Sequence, residues 1–161
     1  MNVTGEGWMK VELNELEQQL ARKVAALRQH VNQSNGVRDQ QQCQQSDICL
    51  QGVGAELAFC KLFNLYPDLE TKLRKYPDHD CVFKGLKVDI KSSRKPNLNV
   101  KLTKQHAEVD AFALMVGEFP CYTFVGHALK ATVCQPENIY DTGNGPYYTL
   151  RQEQLIQPKV A

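Results

Sequence analysis

The chain of 161 residues has no apolar run near the roughly 20 residues that cross a bilayer, which excludes a membrane-spanning helix. Its first residues, MNVTGEGWMKVELNELEQQL, lack both a basic n-region and an apolar h-region, so no secretory leader is expected. The six cysteines (43, 49, 60, 81, 121 and 134) form no C-x-x-C pair, and several sit inside apolar runs. They are expected to be buried thiols in a reducing, cytoplasmic setting rather than a disulfide framework. Cys43 and Cys49 have poor spacing for zinc. No G-x-x-x-x-G-K-[ST] loop is present, so no nucleotide cofactor is expected, and no G-x-S-x-G elbow points to an α/β-hydrolase. No internal repeat is visible.

Net charge is almost absent, at +1, but its distribution is uneven. Between positions 84 and 104, Lys84, Lys87, Lys91, Arg94, Lys95, Lys101 and Lys104 face a single acid, Asp89. A local surplus of this kind attracts a polyanion through phosphate contacts and counterion release. A solvated lysine-rich loop would look the same on charge alone.

Hydrophobic residues make up 42% of the chain, an ordinary globular share, enough for one compact domain with a short appendage. Leu13, Leu16, Leu20, Val24, Leu27 and Val31 recur at helical steps, which predicts an N-terminal amphipathic helix from about Lys10 to His30 within residues 1–33. Its stripe could pack on the domain or pair two copies as a homodimer. The glutamine-rich stretch at 34–47 is expected to be a linker or loop. An α/β domain then occupies 48–161. Residues 48–64 suit a buried helix, and 64–80 a short helix or irregular crossing. CVFKGLKVDIKSS alternates around Lys84-Gly85 as a β-hairpin. A third strand is expected near Leu98–Leu102, two more in AFALMVGEF and CYTFVGHAL, and a final strand entering a short helix in YYTLRQEQLI.

The hairpin carries the strongest chemical signal. Side chains alternate faces along a strand, so Cys81, Phe83, Leu86, Val88 and Ile90 share an apolar face, while Asp89 and Lys91 share the opposite one. A two-residue turn at Lys84-Gly85 sets Asp80 opposite Asp89, with Cβ atoms about 5 Å apart. Facing carboxylates need a proton or a cation, and a hard divalent ion with oxygen ligands is the natural neutraliser. Glu56 is a carboxylate inside an apolar helix and also needs a partner. His79, beside Asp80, is a candidate for proton transfer or for a plain surface histidine.

With Glu56 in GAELAFCKL, Asp80 in PDHDCVF and Asp89-Ile90-Lys91 in KVDIKSS, the chain resembles the PD-(D/E)xK nuclease superfamily over roughly residues 50–130. Two departures accompany the likeness: the Q-x-x-x-Y element of one branch is absent after Gln105, and the segment before Ala111 is short for a crossover helix. The resemblance implies a restriction-endonuclease-like mixed β-sheet core flanked by helices. It further implies a Mg²⁺-dependent nuclease, with Mn²⁺ as substitute, that hydrolyses DNA through a metal-activated water. On that likeness Asp80, Asp89 and the Ile90 carbonyl ligate the ion, with Glu56 bound directly or through water. Lys91 positions the water or stabilises the phosphorane charge. Lys87, Ser92, Ser93, Arg94, Lys95, Lys101 and Lys104 would grip flanking phosphates. Endonuclease action is favoured over exonuclease, and small stand-alone members often belong to phages or mobile elements, which would place the protein in a host cytoplasm. Duplex DNA, RNA and junctions all present the phosphates that such a surface grips. The competing reading is a non-catalytic module that binds nucleic acid or protein on the same fold.

Overall fold

The computed structural model describes residues 7–34, 42–71 and 79–158. Among the described residues, eight strands and three helices form three layers. The elements are β1 (Met9–Glu12), α1 (Glu15–Ser34), α2 (Gln42–Leu62), β2 (Cys81–Phe83), β3 (Leu86–Ser93), β4 (Asn97–Lys101), β5 (Ala111–Glu118), β6 (Cys121–Leu129), α3 (Lys130–Val133), β7 (Ile139–Asp141) and β8 (Pro146–Arg151). A large mixed sheet runs β1-β6-β5-β3-β2, and a small antiparallel sheet runs β4-β8-β7. Only the β3–β5 pair is parallel.

Strand alternation explains why the large sheet is the middle layer. From β5, Ala111, Ala113 and Met115 point to one side and pack with Val24, Val53, Phe59 and Ile90 under the helices. Phe112 and Leu114 point to the other side and pack with Leu98, Val100, Tyr148 and Leu150 of the small sheet. A strand buried on both faces has no polar side to show, which is why AFALM is an unbroken apolar run. The mixed α/β class therefore holds. No helix among the described residues is long and apolar enough to cross a membrane.

The parallel β3–β5 connection is made by β4 and a 3₁₀ turn over Leu102–His106, not by an α-helix. This is the structural content of the short segment noted before Ala111. β4 leaves β3 after a turn at 94–96 and joins the small sheet, so the third expected strand exists but in a different layer.

The N-terminal region departs from the sequence reading. The segment Met9–Glu12 is strand β1, paired with β6, so the helix starts at Glu15 rather than near Lys10. Asn14 caps it: the Asn14 side chain accepts from the Glu17 N–H at 2.9 Å, while Glu17 accepts from the Asn14 N–H at 2.6 Å. The buried face of α1 is Ala21, Val24 and Ala25, rotated from the leucine stripe. Leu16 is 75% exposed, and Leu20 and Leu27 also face solvent. Small residues allow α1 to lie close on α2, and bulky leucines on that face would hold it away. Strand β1 thus joins the large sheet and α1 packs on α2. The stretch 34–47 is likewise not all linker, since α2 begins at Gln42; residues 35–41 lie outside the described set.

A close approach locks α2 onto the sheet. A Cβ on Gly54 would sit 2.3 Å from the Tyr122 hydroxyl oxygen and 2.6 Å from the Phe119 ring. That hydroxyl donates to the Gln51 carbonyl at 3.0 Å, and the Gln51 side chain bonds the backbone of Gly117 and Phe119. Among the cysteines, Cys60 and Cys81 are buried as expected, Cys49 and Cys134 are half-buried, and Cys121 is exposed. Cys60, Cys81, Cys121 and Cys134 are free thiols, and the Cys43 side chain lies outside the described set.

Candidate active site at the open edge of β3

The hairpin forms as its sequence requires. Lys84 (φ 51°) and Gly85 (φ 78°) make the two-residue turn, and Phe83 pairs with Leu86 and Cys81 with Val88. Positive φ at both central residues matches the right-handed twist of the strands. Val88, Ile90 and Cys81 are buried on the helix side, as the alternation predicted.

β2 begins at Cys81, opposite Val88, whereas β3 continues to Ser93, so the β3 backbone beyond Val88 has no strand on that side among the described residues. Unpaired backbone groups need partners. Asp80 supplies one: its N–H donates to the Val88 carbonyl at 2.8 Å, and its Oδ2 accepts from the Ile90 N–H at 2.6 Å. The expected face-to-face placement of Asp80 and Asp89 is therefore corrected. The ladder stops one residue short, and the Asp80 carboxylate turns to the bare strand edge. The N–H and C=O of one strand residue point the same way, so the Ile90 carbonyl faces this open edge too.

Asp89 and Lys91 register with Phe112 and Leu114, which places them on the side of the small sheet. Asp89 is only 3% exposed. Its Oδ2 lies 2.8 Å from the Lys104 Nζ and 3.1 Å from the Lys91 Nζ, yet neither ammonium is aligned to donate a hydrogen bond to it. A buried carboxylate oxygen next to two cations, without a well-formed hydrogen bond, is poorly satisfied for its environment. Lys104 comes from the 3₁₀ turn over Leu102–His106. It was expected to contact phosphate; in the structure it is half-buried beside Asp89.

Glu56 lies in the helix layer, on α2. Its Oε2 accepts from Arg28 Nη1 of α1 at 3.0 Å. Arg28 also donates to the Asp68 and Glu70 carbonyls at 2.9 and 3.0 Å, which pins the segment after α2. Arg28 was not among the expected site residues. The signal was present, because a carboxylate in an apolar helix demands a cation, and Arg28 stands four residues after Val24 on the buried face of α1.

The three acids act on one another electrically. Burial pushes the Asp80 carboxyl up to about 8, with repulsion from Glu56 and Asp89 adding to it and the Ile90 N–H and Lys91 opposing. Burial also raises Glu56, offset by Arg28 and reinforced by Asp68 and Asp89. The Nδ1 of His79, beside Asp80, is buried with no partner among the described residues. Asp80 opens onto a shallow depression of about 490 Å³ lined by Tyr66, Asp68 and Glu70. Another of about 540 Å³ lies near the far end of β3, lined by Ser92, Ser93, Arg94 and residues of α2.

The remaining basic residues are spread along the hairpin and beyond. Lys87 Nζ lies 3.7 Å from Glu108, and Arg94 Nε 2.9 Å from Glu118, so both carry an acidic neighbour. The Lys95 N–H donates to Ser93 Oγ at 3.0 Å, which shapes the turn into β4. Lys95 and Lys101 are exposed.

Asp80 and Asp89 are the oxygen donors at this edge: Asp89 is already neutralised by two ammonium groups, and the ionisation of Asp80 is opposed by its neighbours. As placed, no three carboxylate, histidine or cysteine groups among the described residues converge on one point, so binding an ion requires at least one carboxylate to change rotamer. No family model, curated protein or solved structure matches this chain.

Proposed function

We propose that the protein is a metal-dependent deoxyribonuclease whose centre is Asp80, Asp89 and Lys91 at the open edge of β3, a variant of the restriction-endonuclease-like arrangement. The observation that carries this reading is the gathering of mutually repelling acids, with the Asp80 carboxyl pushed up to about 8. A protein gains nothing in stability from such a cluster, and functional sites are where such perturbations concentrate. Asp80, Asp89 and the Ile90 carbonyl would hold Mg²⁺, with Mn²⁺ as a substitute. When bound, the ion supplies phosphate polarisation and a water of lowered pKa.

The chain's own residues do the rest. Lys91 faces the same side as Asp89 and stabilises charge developing on the phosphate oxygens. Lys104, 2.8 Å from the same carboxylate, is placed to take up a phosphate oxygen once Asp89 turns elsewhere. Glu56, neutralised by Arg28, sets the local field and holds a water rather than an ion directly. Ser92, Ser93, Arg94 and Lys95 flank the centre along β3, and Lys87 stands at its start. An endonuclease mode suits an edge site that opens on two depressions rather than a closed pocket. Leu16, Leu20 and Leu27 are the part of the α1 stripe left at the surface for a second copy, and a homodimer through them would address two strands.

A non-catalytic binding module is the second reading, and one observation favours it: each acid already has a partner in Arg28, the Ile90 N–H or the two lysines. The test is incubation with supercoiled, linear duplex and single-stranded DNA in Mg²⁺, Mn²⁺ or EDTA. Metal-dependent cutting by the wild type, lost in Asp89→Asn and Lys91→Ala, is expected. Binding without cutting on every substrate and metal overturns the nuclease in favour of the module.

A further inference from the structure

The outer face of the small sheet has a composition that the site above does not use. β4 and β8 send Val100, Leu98, Tyr148 and Leu150 inward to the core. Alternation then turns Asn99, Lys101, Tyr147, Thr149 and Arg151 outward. The register places Lys101 opposite Tyr147 and Tyr147 opposite Tyr140, and Thr149 opposite Asn99, so these side chains form cross-strand rows. Tyr140 is 55% exposed, and its ring meets that of Tyr147 edge-on at 6.1 Å. Thr149 Oγ1 donates to Asn99 Oδ1 at 2.8 Å, which orders the polar row between the two cations. The one acid of these strands, Asp141, has the opposite parity, and its Oδ1 is occupied by the Gly143 and Gly145 N–H groups at 2.8 and 3.2 Å. The face thus carries two aromatic rings, two cations and neutral hydrogen-bonding groups, with no carboxylate turned outward.

We propose that this face binds single-stranded DNA, with bases stacked on Tyr140 and Tyr147 and phosphates held by Lys101 and Arg151. The charge is complementary to a phosphate backbone. Tyr140, exposed, and Tyr147, half-buried beside it, offer ring surface that bases inside a duplex cannot stack on, which selects an unpaired strand. Lys101 ends β4, and the turn that follows it carries Lys104 to Asp89. The inference rests on the nuclease reading only for its consequence, that the strand presented for cutting is unpaired.

Fluorescence anisotropy in EDTA, with labelled oligothymidylate, a matched duplex and oligouridylate, separates binding from cleavage. The wild type is expected to prefer oligothymidylate. Tyr140→Ala and Tyr147→Ala should each weaken that binding by about tenfold, and the corresponding Phe variants should retain it. Lys101→Gln should reduce the slope of log affinity against log salt by about 0.7. Circular dichroism and melting establish that the variants fold. Folded alanine variants that bind like the wild type, or a wild type that prefers the duplex, overturn the proposal, and tighter oligouridylate binding overturns its assignment to DNA. A wild type that binds oligothymidylate but cuts nothing overturns the nuclease reading alone, and a folded Tyr147→Ala that binds like the wild type overturns this face alone.

Discussion

The edge of β3 and the outer face of the small sheet both hold charge on a β-strand, but they hold it in opposite ways. At the edge, Asp89 is buried against Lys91 and Lys104, and Glu56 against Arg28, each within about 3 Å, while Asp80 has the Ile90 N–H. On the small sheet Lys101 and Arg151 stand in solvent, with no ion pair to them among the described residues. A buried charge is expensive unless paired, and so its partners are dictated by the protein. An exposed charge costs almost nothing and leaves its partner to be chosen by the surroundings. The first arrangement suits chemistry and the second suits capture.

The largest effects should fall on the buried set. On the nuclease reading, Lys91→Ala lowers cleavage by at least about 100-fold, the scale of removing one charge-stabilising donor, with a melting temperature close to wild type. Undiminished cutting would remove Lys91 from the centre. Arg28→Met leaves Glu56 buried without its cation and should cost about 2–3 kcal/mol in urea unfolding, with much of it recovered in the double variant with Glu56→Gln. If the single variant melts like the wild type, the pair contributes nothing and the contrast between regions fails.

Asp80 gives a pH signature. Its folded carboxyl is near 8 while the unfolded one is ordinary, near 3.9, so the folded state keeps a proton that the unfolded state releases in that window. Stability in EDTA should therefore fall as the pH rises from about 4 to about 8, then level off. Asp80→Asn should flatten that segment. A wild-type curve rising over the same range would contradict the electrostatic account.

Packing and surface changes come next. Gly54→Ala forces a methyl into the Tyr122 hydroxyl and should cost about 1–3 kcal/mol, read from thermal melts. Lys95→Ala, at an exposed position, should shift unfolding by less than about 0.5 kcal/mol while slightly weakening the salt dependence of DNA binding.

Much of this was legible in the sequence because local rules decided it. The turn at Lys84-Gly85, the apolar row Cys81, Val88 and Ile90, and the strands at 111–118 and 121–129 follow from alternation and turn chemistry alone. β1 was not legible, since the four residues MKVE gain their strand only by pairing with β6, a contact more than a hundred positions away. The same holds for Arg28. Glu56 announced that it needed a cation, but which of the basic residues answered depended on how α1 packs on α2. Asp80 shows a subtler limit: the pairing of β2 with β3 reaches only Cys81 and Val88, so Asp80 lies outside the ladder and its carboxylate turns to the Ile90 N–H.

The central claim is that the acids at the β3 edge are held together for a divalent cation. Thermal unfolding at pH 8 with increasing Mg²⁺, in the wild type and in Asp80→Asn and Asp89→Asn, tests it most directly. The account expects Mg²⁺ to raise the wild-type melting temperature saturably, because an ion that binds only the folded state stabilises it, and to leave both variants unmoved. A wild type indifferent to Mg²⁺ and Mn²⁺ would contradict the claim.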